Sequence, residues 1–297
     1  TPGPLGLCAL ATARIMGLPF CTTYHTAVAQ FAGYLTGDAS ISDLVWRYTV
    51  WFYEQSDIVF SPSQASTEEL VEKGISQDKI VRMPRGVDAH RFGPERRGDY
   101  ELPEGTRLLY VGRVSKEKNL PLLCRAFKRL CMKHKDARLV VIGDGPYLEK
   151  MKKEMKGHRC TFTGYLEGDD LAAAYASSDL IVFPSTSDTF GNVVLEAQAS
   201  GLPVIVTDKG GPCENMVPDV TGVVVKGDSE SALLEGMDNL VSKPERADAM
   251  GKNAVDYART RSYEQAFEKY WNMYRQDTDK ADREKGAARA EKNADVA

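Results

Sequence analysis

The chain has 297 residues, 42% hydrophobic and 27% charged, with a formal net charge of −4. That length fits about two domains, and the mild acidity gives no general attraction to nucleic acid or to an anionic membrane. No apolar run reaches the ~18–20 residues of a membrane span, no basic stretch precedes the first apolar one as in a signal peptide, and six cysteines without a CxxC pair or zinc spacing fit reduced thiols in a cytosolic protein.

Thr1-Pro2-Gly3-Pro4 reads as a loop inside a longer protein, so an N-terminal part is expected to be missing. Leu5–Met16 then reads as a helix, Pro19–Thr23 as a strand, and Ile41–Gln55 as a helix carrying Trp46, Tyr48, Trp51, Phe52 and Tyr53. That aromatic helix is either core or a lipid-facing surface. Asp57–Ser61 is an expected strand, Ala65–Lys73 a helix and Ile80–Met83 a short strand. Together these make the back half of an α/β domain over residues 1–92, followed by a polar linker at 93–105.

From residue 106 the alternation strengthens. Arg107–Val111, Arg138–Ile142, Cys160–Thr163, Leu180–Phe183, Pro203–Thr207 and Gly222–Val225 are short Val-, Ile- and Leu-rich runs bounded by Gly, Asp or Pro. Buried parallel strands have this composition. Leu120–His134, Tyr147–Met155, Asp170–Ala176, Asn192–Ser200 and Pro212–Val217 read as the helices between them. Alternation of this kind predicts a doubly wound parallel sheet, here over residues 106–260, with ligands at the carboxyl ends of the strands. Residues 229–242 and 245–275 read as closing helices, with 261–275 expected to pack back on the first domain. The charged, Ala-rich stretch 276–297 reads as a disordered tail.

The most informative segment follows Leu180–Phe183. It runs Ser185-Thr186-Ser187-Asp188-Thr189-Phe190-Gly191-Asn192-Val193-Val194-Leu195-Glu196 and opens a helix. A helix N-terminus offers unpaired N–H groups and partial positive charge to an anion. Carboxylates such as Asp188 and Glu196 accept hydrogen bonds from sugar hydroxyls. Phosphate and hydroxyls together suggest a nucleotide sugar. After Leu108–Val111 comes Gly112-Arg113-Val114-Ser115-Lys116-Glu117-Lys118. Gly112 admits a close backbone approach, Arg113 supplies a planar fork for phosphate oxygens, and Lys118 a point charge. The bland alternative is a solvated basic loop.

Val141-Ile142-Gly143-Asp144-Gly145-Pro146 is a strand–turn–helix junction, but Leu148 stands where a dinucleotide fingerprint needs a third glycine. A ligand-facing turn at Gly143 and a plain tight turn both remain open. Backbone at Gly164, Tyr165 and Leu166 either meets a base edge or forms an ordinary loop. His25, after the strand 19–23, suits a sugar hydroxyl or a reacting centre, with a structural histidine as the alternative. Asp277-Thr278-Asp279 spells the DxD of metal-dependent sugar transferases, but in the polar tail it reads as chance.

The set GRVSKEKNL, VIGDGP, FTGYL, SDTFGNVVLEAQASGLPVI and GGPCENMV, in this order, resembles the retaining GT-B glycosyltransferases of family GT4. The likeness is strongest over 106–226. TPGPLGL, GLPF and TYHT are similar to the bacterial lipid α-mannosyl- and sulfoquinovosyl-type subgroup. The resemblance implies an α/β fold of two Rossmann-like domains, the first incomplete here. It implies metal-independent transfer of a hexose, with retention, from a GDP- or UDP-sugar to a lipid or glycan acceptor, with no prosthetic group. A cytoplasmic protein with peripheral contact at the inner face of a membrane fits this picture. The resemblance also implies Arg113 and Lys118 on the diphosphate, Glu196 on the ribose, amides near Gly191–Val193 on phosphate or sugar with Phe190 and Asn192 counted among the donor contacts, and His25 by the reacting centre. The family's first acidic residue is usually Glu. Here it is Asp188, one methylene shorter, carried over as a donor-sugar ligand. The family's N-terminal glycine-rich loop has no counterpart in this sequence. An inactive nucleotide-sugar-binding fragment is therefore the competing reading, and a sugar-nucleotide epimerase is disfavoured by the Arg113, Lys118, Asp188, Glu196 set.

Overall fold

Short apolar runs bounded by Gly, Pro and Asp become parallel strands, and the 3.6-periodic segments between them become the helices that cover them. The computed structural model describes residues 2–83, 85–273 and 275. Two compact units result: the chain up to Arg85 joined by the chain from Glu264, and Gly86–Tyr263.

The first unit contains α1 (Pro4–Met16), β1 (Cys21–Thr23), α2 (Val28–Thr36), α3 (Ala39–Glu54), β2 (Ile58–Ser61), α4 (Gln64–Glu72) and β3 (Ile80–Arg82). Its strands pair in parallel in the order β1-β2-β3. The helix α2 was not expected: it is short, no side chain caps its start and Gly33 sits inside it, and tertiary packing against α3 outweighs that weak local signal. Side-chain caps start α3 and α4, Asp38 accepting from the Ser40 N–H and Ser63 from the Ser66 N–H. In α3, Trp46, Thr49, Phe52 and Tyr53 are buried while Ile41, Leu44 and Trp51 are exposed. The aromatic helix is thus core on one face and open on the other. Residues 263–273 are helical, and Tyr270 packs against Phe60 of β2 with ring centres 4.9 Å apart. The expected tail 276–297, with the Asp277-Thr278-Asp279 run, lies outside the described residues.

The second unit runs β4 (Thr106–Val111), α5 (Leu120–Lys133), β5 (Ala137–Ile142), α6 (Leu148–Glu154), β6 (Cys160–Gly164), α7 (Gly168–Ala176), β7 (Leu180–Phe183), α8 (Asn192–Ala199), β8 (Val204–Thr207), β9 (Gly222–Val225), α9 (Glu230–Val241) and α10 (Pro244–Arg259). The sheet is parallel, in the order β6-β5-β4-β7-β8-β9. Renumbered from β4 this is the 3-2-1-4-5-6 Rossmann order, whose direction reverses between β4 and β7. The loops after those two strands flank the switch point, where such sheets bind ligands. Both faces of the sheet are covered, so β4, β5, β7 and β8 are almost wholly buried. In α5, Leu120, Leu123, Phe127 and Leu130 are at most 1% exposed, each contributing roughly 1.5–3 kcal/mol by burial.

Two segments depart from expectation. Pro212–Val217 forms only a 3-10 turn, Pro212–Asn215, because Asn215 is diverted to tertiary hydrogen bonds described below. The segment 93–105 is also no free connector. Arg97 donates to the carbonyls of Ala176 (3.1 Å) and Ser178 (2.7 Å) and to the Asp179 carboxylate (2.5 Å), tying the segment to the second unit. The six cysteines are all unpaired, with Cys124 buried and Cys8 exposed rather than core.

Candidate functional site

The loops at the carboxyl ends of β4, β5 and β6 are stitched together by backbone. The Gly112 N–H donates to Ile142 O (3.0 Å), Val114 N–H to Asp144 O (2.9 Å), and Gly143 N–H to Gly164 O (2.8 Å). Gly143 has φ +129, and a Cβ there would lie 2.1 Å from the Gly112 carbonyl oxygen. No larger residue fits, so the glycine sets how closely these turns approach. Under them, the buried Tyr110 hydroxyl donates to Arg113 O (2.9 Å) and fixes the turn that carries the Arg113 side chain outward. The Tyr110 ring stacks on Phe183 of β7, so the switch point is floored by aromatic rings.

The loop after β7 is braced from behind. Thr207 Oγ1 donates to Ser185 O (2.7 Å), Gly211 N–H to Asp188 O (2.9 Å), and Asn215 Nδ2 to Phe190 O (2.6 Å). Gln198 on α8 in turn donates to Asn215 O (2.5 Å). At Gly211 an added Cβ would lie 2.1 Å from Thr189 O, so the Gly210-Gly211 pair is what lets this second layer lie flat. Gly191 enters α8 with φ +80 and no side chain caps the helix. Its first amides are therefore left to a ligand or solvent.

Across the switch point, Lys118 Nζ pairs with Asp188 Oδ1 at 2.7 Å, each side chain 21% exposed. Among the described residues, the other oxygen, Asp188 Oδ2, is buried without a hydrogen-bond partner. Asp188 is thus turned toward Lys118, not presented to the open cleft. Deeper in, Tyr175 on α7 donates to Glu196 Oε2 on α8 at 2.8 Å. Burial pushes the Glu196 carboxyl up from its ordinary value, and the Tyr175 hydrogen bond opposes that rise. A cleft of about 550 Å³ opens beside Glu196. Its walls are the turns at Gly112-Arg113 and Gly143-Asp144, the Tyr165-Leu166 backbone, Val193 of α8, and Asp88, Arg91, Phe92 and Tyr263. Among the described residues, no group of three or more His, Cys, Asp or Glu is placed to hold a metal ion.

Residues 94–256 match the model of the group 1 glycosyl transferases. The chain belongs to this family. Residues 1–91 match the model of glycosyltransferase family 4, and the fold is GT-B. The chain is 36% identical over 228 residues to a sulfoquinovosyl transferase of Arabidopsis thaliana, covering 74% of this chain and 43% of that protein. It is 34% identical over 262 residues to a GDP-mannose-dependent alpha-mannosyltransferase of Mycolicibacterium smegmatis, covering 86% and 67%. It therefore spans between 43% and 67% of the length of these two relatives. A sucrose-phosphate synthase from Thermosynechococcus elongatus superposes with a TM-score of 0.74 at 25% identity, covering 86% and 67% of the two chains. The Anabaena HepE protein in complex with UDP gives 0.79 at 18% identity over 93% and 77%, a likeness of fold.

In this group 1 glycosyltransferase chain, the cleft gathers Gly112, Arg113, Gly143, Tyr165, Leu166, Val193 and Glu196 from the sequence-derived set. Gly164 closes β6 beside them. Lys118, Asp188 and Gly191 sit on the adjoining turns and Asn192 opens α8, and none of the four lines that cleft. Phe190 is 7% exposed and belongs to the core; its side chain anchors the loop and its carbonyl is taken by Asn215. His25 lies in the first unit, where Arg85 Nη2 donates to its Nδ1 at 2.6 Å. Sequence reasoning missed Tyr175, Asp88, Arg91, Phe92, Asn215 and Tyr263. For Asp88 the signal was present: Asp-x-x-Arg after a glycine makes an Asx turn, and its Oδ1 accepts from the His90 and Arg91 amides.

Proposed function

We propose that this chain transfers a hexose from a GDP- or UDP-sugar to a lipid or glycan acceptor, with retention and without a metal. The observation that carries the reading is one switch point holding three complementary groups. A partly buried carboxylate, Glu196, suits ribose hydroxyls; the cations Arg113 and Lys118 stand on the β4 loop; and the uncapped start of α8 faces the same loops. Relatives named for GDP-mannose and for sulfoquinovosyl transfer support a nucleotide-sugar donor, and one named for monoglucosyldiacylglycerol synthesis supports a lipid acceptor.

In this reading Arg113 and Lys118 stabilise the negative charge that develops on the departing diphosphate. The amides at Gly191–Val193 hold the phosphate or sugar. Asp188 orients the sugar, either by accepting a hydroxyl or by aiming Lys118. Exposed Ile41, Leu44 and Trp51 on α3 are consistent with peripheral contact at a lipid surface. Among the described residues, no helix is long and apolar enough to cross a membrane. The second reading is a protein that binds the donor without turnover. Thermal-shift screening against UDP, GDP and their sugars, followed by mass-detected transfer to diacylglycerol and sugar acceptors, tests both. Stabilisation with transfer supports the enzyme, and stabilisation alone supports the second reading. No stabilisation by any nucleoside diphosphate refutes both. The anomeric configuration of the product tests retention.

A further inference from the structure

The Glu196 carboxylate is held by one group only. Among the described residues, Tyr175 supplies its single hydrogen bond, at 2.8 Å to Oε2, and Glu196 forms no ion pair. Its other oxygen is not sealed in and belongs to a residue lining the cleft. Tyr175 has no exposure at all. Its neighbours on α7, Ala172, Ala173, Ala174 and Ala176, are buried and apolar, so nothing else on that helix face can hold a carboxylate. The ring is locked edge-on against Phe92, itself a wall of the cleft, with centroids 5.5 Å apart at 86°.

We infer that Tyr175 is a positioning residue for the donor's ribose: its hydroxyl occupies one Glu196 oxygen and thereby turns the other toward the ribose hydroxyls. The inference rests on the donor reading given above and adds the group that makes Glu196 selective. A buried carboxylate must be hydrogen-bonded to remain where it is. Without the phenol, Glu196 either turns to find another donor or takes a proton, and in both cases it accepts ribose hydroxyls less well. A phenylalanine keeps the ring packing on Phe92 and removes only that bond, so packing and positioning are separable at this site.

The test compares UDP and GDP with their 2′,3′-dideoxy counterparts by titration calorimetry, on the whole chain. Wild type is expected to bind the better ribonucleotide at least tenfold tighter than its dideoxy form. Tyr175→Phe should weaken the ribonucleotide about tenfold, the scale of one hydrogen bond to a charged group, and the dideoxy form less than twofold. Glu196→Gln should lose ribose discrimination as well, and adding Tyr175→Phe to it should change affinity less than twofold. Equal weakening of both nucleotides by Tyr175→Phe marks a purely structural role and overturns the inference. So does unchanged ribonucleotide affinity. If Tyr175→Phe does not fold, the Glu196→Gln variant decides: ribose discrimination retained there overturns it. Wild type that binds neither nucleoside diphosphate refutes the donor reading itself, and this inference with it.

Discussion

On the proposed donor reading Lys118 and Asp188 each have two duties that compete, and separating them is the sharpest test of the site. The pair is 2.7 Å apart, with each side chain 21% exposed, and among the described residues Asp188 Oδ2 has no partner. Lys118→Met therefore leaves a carboxylate with neither oxygen compensated. Breaking a buried pair costs about 3–5 kcal/mol and an exposed one about 0–1 kcal/mol. At one-fifth exposure the loss should be about 2 kcal/mol, or roughly 4–8 °C in melting temperature for a unit of this size. Asp188→Asn keeps the shape and leaves a cation that solvent still reaches, so about 1 kcal/mol is expected. The double variant should lose about 1 kcal/mol less than the two single losses added. Nucleoside diphosphate binding should split the other way. Lys118→Met weakens it about 10–100-fold, since a charge-assisted contact to phosphate is lost. Asp188→Asn leaves it unchanged or tightens it a few-fold, because Lys118 no longer has a competing anion. Urea denaturation and calorimetry on the four proteins measure both cycles. Additive stabilities, together with Asp188→Asn weakening the nucleotide as much as Lys118→Met, refute the competition.

Gly143→Ala forces a Cβ to 2.1 Å from Gly112 O at φ +129; it should cost about 2–4 kcal/mol and lower nucleotide affinity, while a urea midpoint equal to wild type contradicts the stitching of the turns. Lys133 and His134 hold the Asp238 carboxyl at about 2, below its ordinary 3.8. A depressed acid stabilises above its unfolded value, so this contribution is full above about pH 4 and lost as pH falls through about 2. Solvent screening limits it to about 0.5–1 kcal/mol, so Asp238→Asn should destabilise by that much at pH 7 and by almost nothing at about pH 1. Equal effects at both pH values would argue against the pair. At His25, burial and then the Arg85 charge hold the imidazole below its ordinary 6.5, and the Arg85 donor at Nδ1 leaves the neutral ring's proton on Nε2. Nitrogen NMR at pH 7 should show the Nε2–H tautomer, and a ring still protonated there would exclude it.

Most of the second unit was legible because its strands are buried on both faces and so read as continuous Val, Ile and Leu runs. Leu180–Phe183 and Gly222–Val225 form as the pattern dictates. The turns were legible for a different reason: glycines appear where carbonyls come within reach, as at Gly143, Gly145 and Gly211. What stayed hidden depends on which side chain meets which across distant elements. Tyr175 sits in an alanine run on α7 and looks like one more core residue; only the fold brings its hydroxyl to Glu196, 21 positions away. Phe190 shows the opposite failure. Next to Gly191 it looked like a ligand contact, but a large aromatic at that point buries itself to hold the loop. In the first unit α2 escaped notice because its formation rests on α3 rather than on its own pattern.

The two halves of the site also constrain each other electrostatically. Lys118 is paired with Asp188, so on the proposed donor reading a phosphate bound at Lys118 exchanges one ion pair for another, and its net gain is smaller than a bare lysine would give. Diphosphate alone is thereby a poor ligand, and the rest of the affinity must come from contacts that do not require breaking an existing pair. Glu196 is such a contact: its second oxygen is uncommitted, and its existing bond to Tyr175 need not be broken when a hydroxyl arrives. The arrangement therefore favours a ligand that carries both diphosphate and ribose over inorganic phosphate or a free sugar, each of which meets only half of it. Asp188 rather than Glu suits this role. A carboxylate one methylene shorter stays close to its own loop, where Lys118 reaches it, and extends less far toward a sugar.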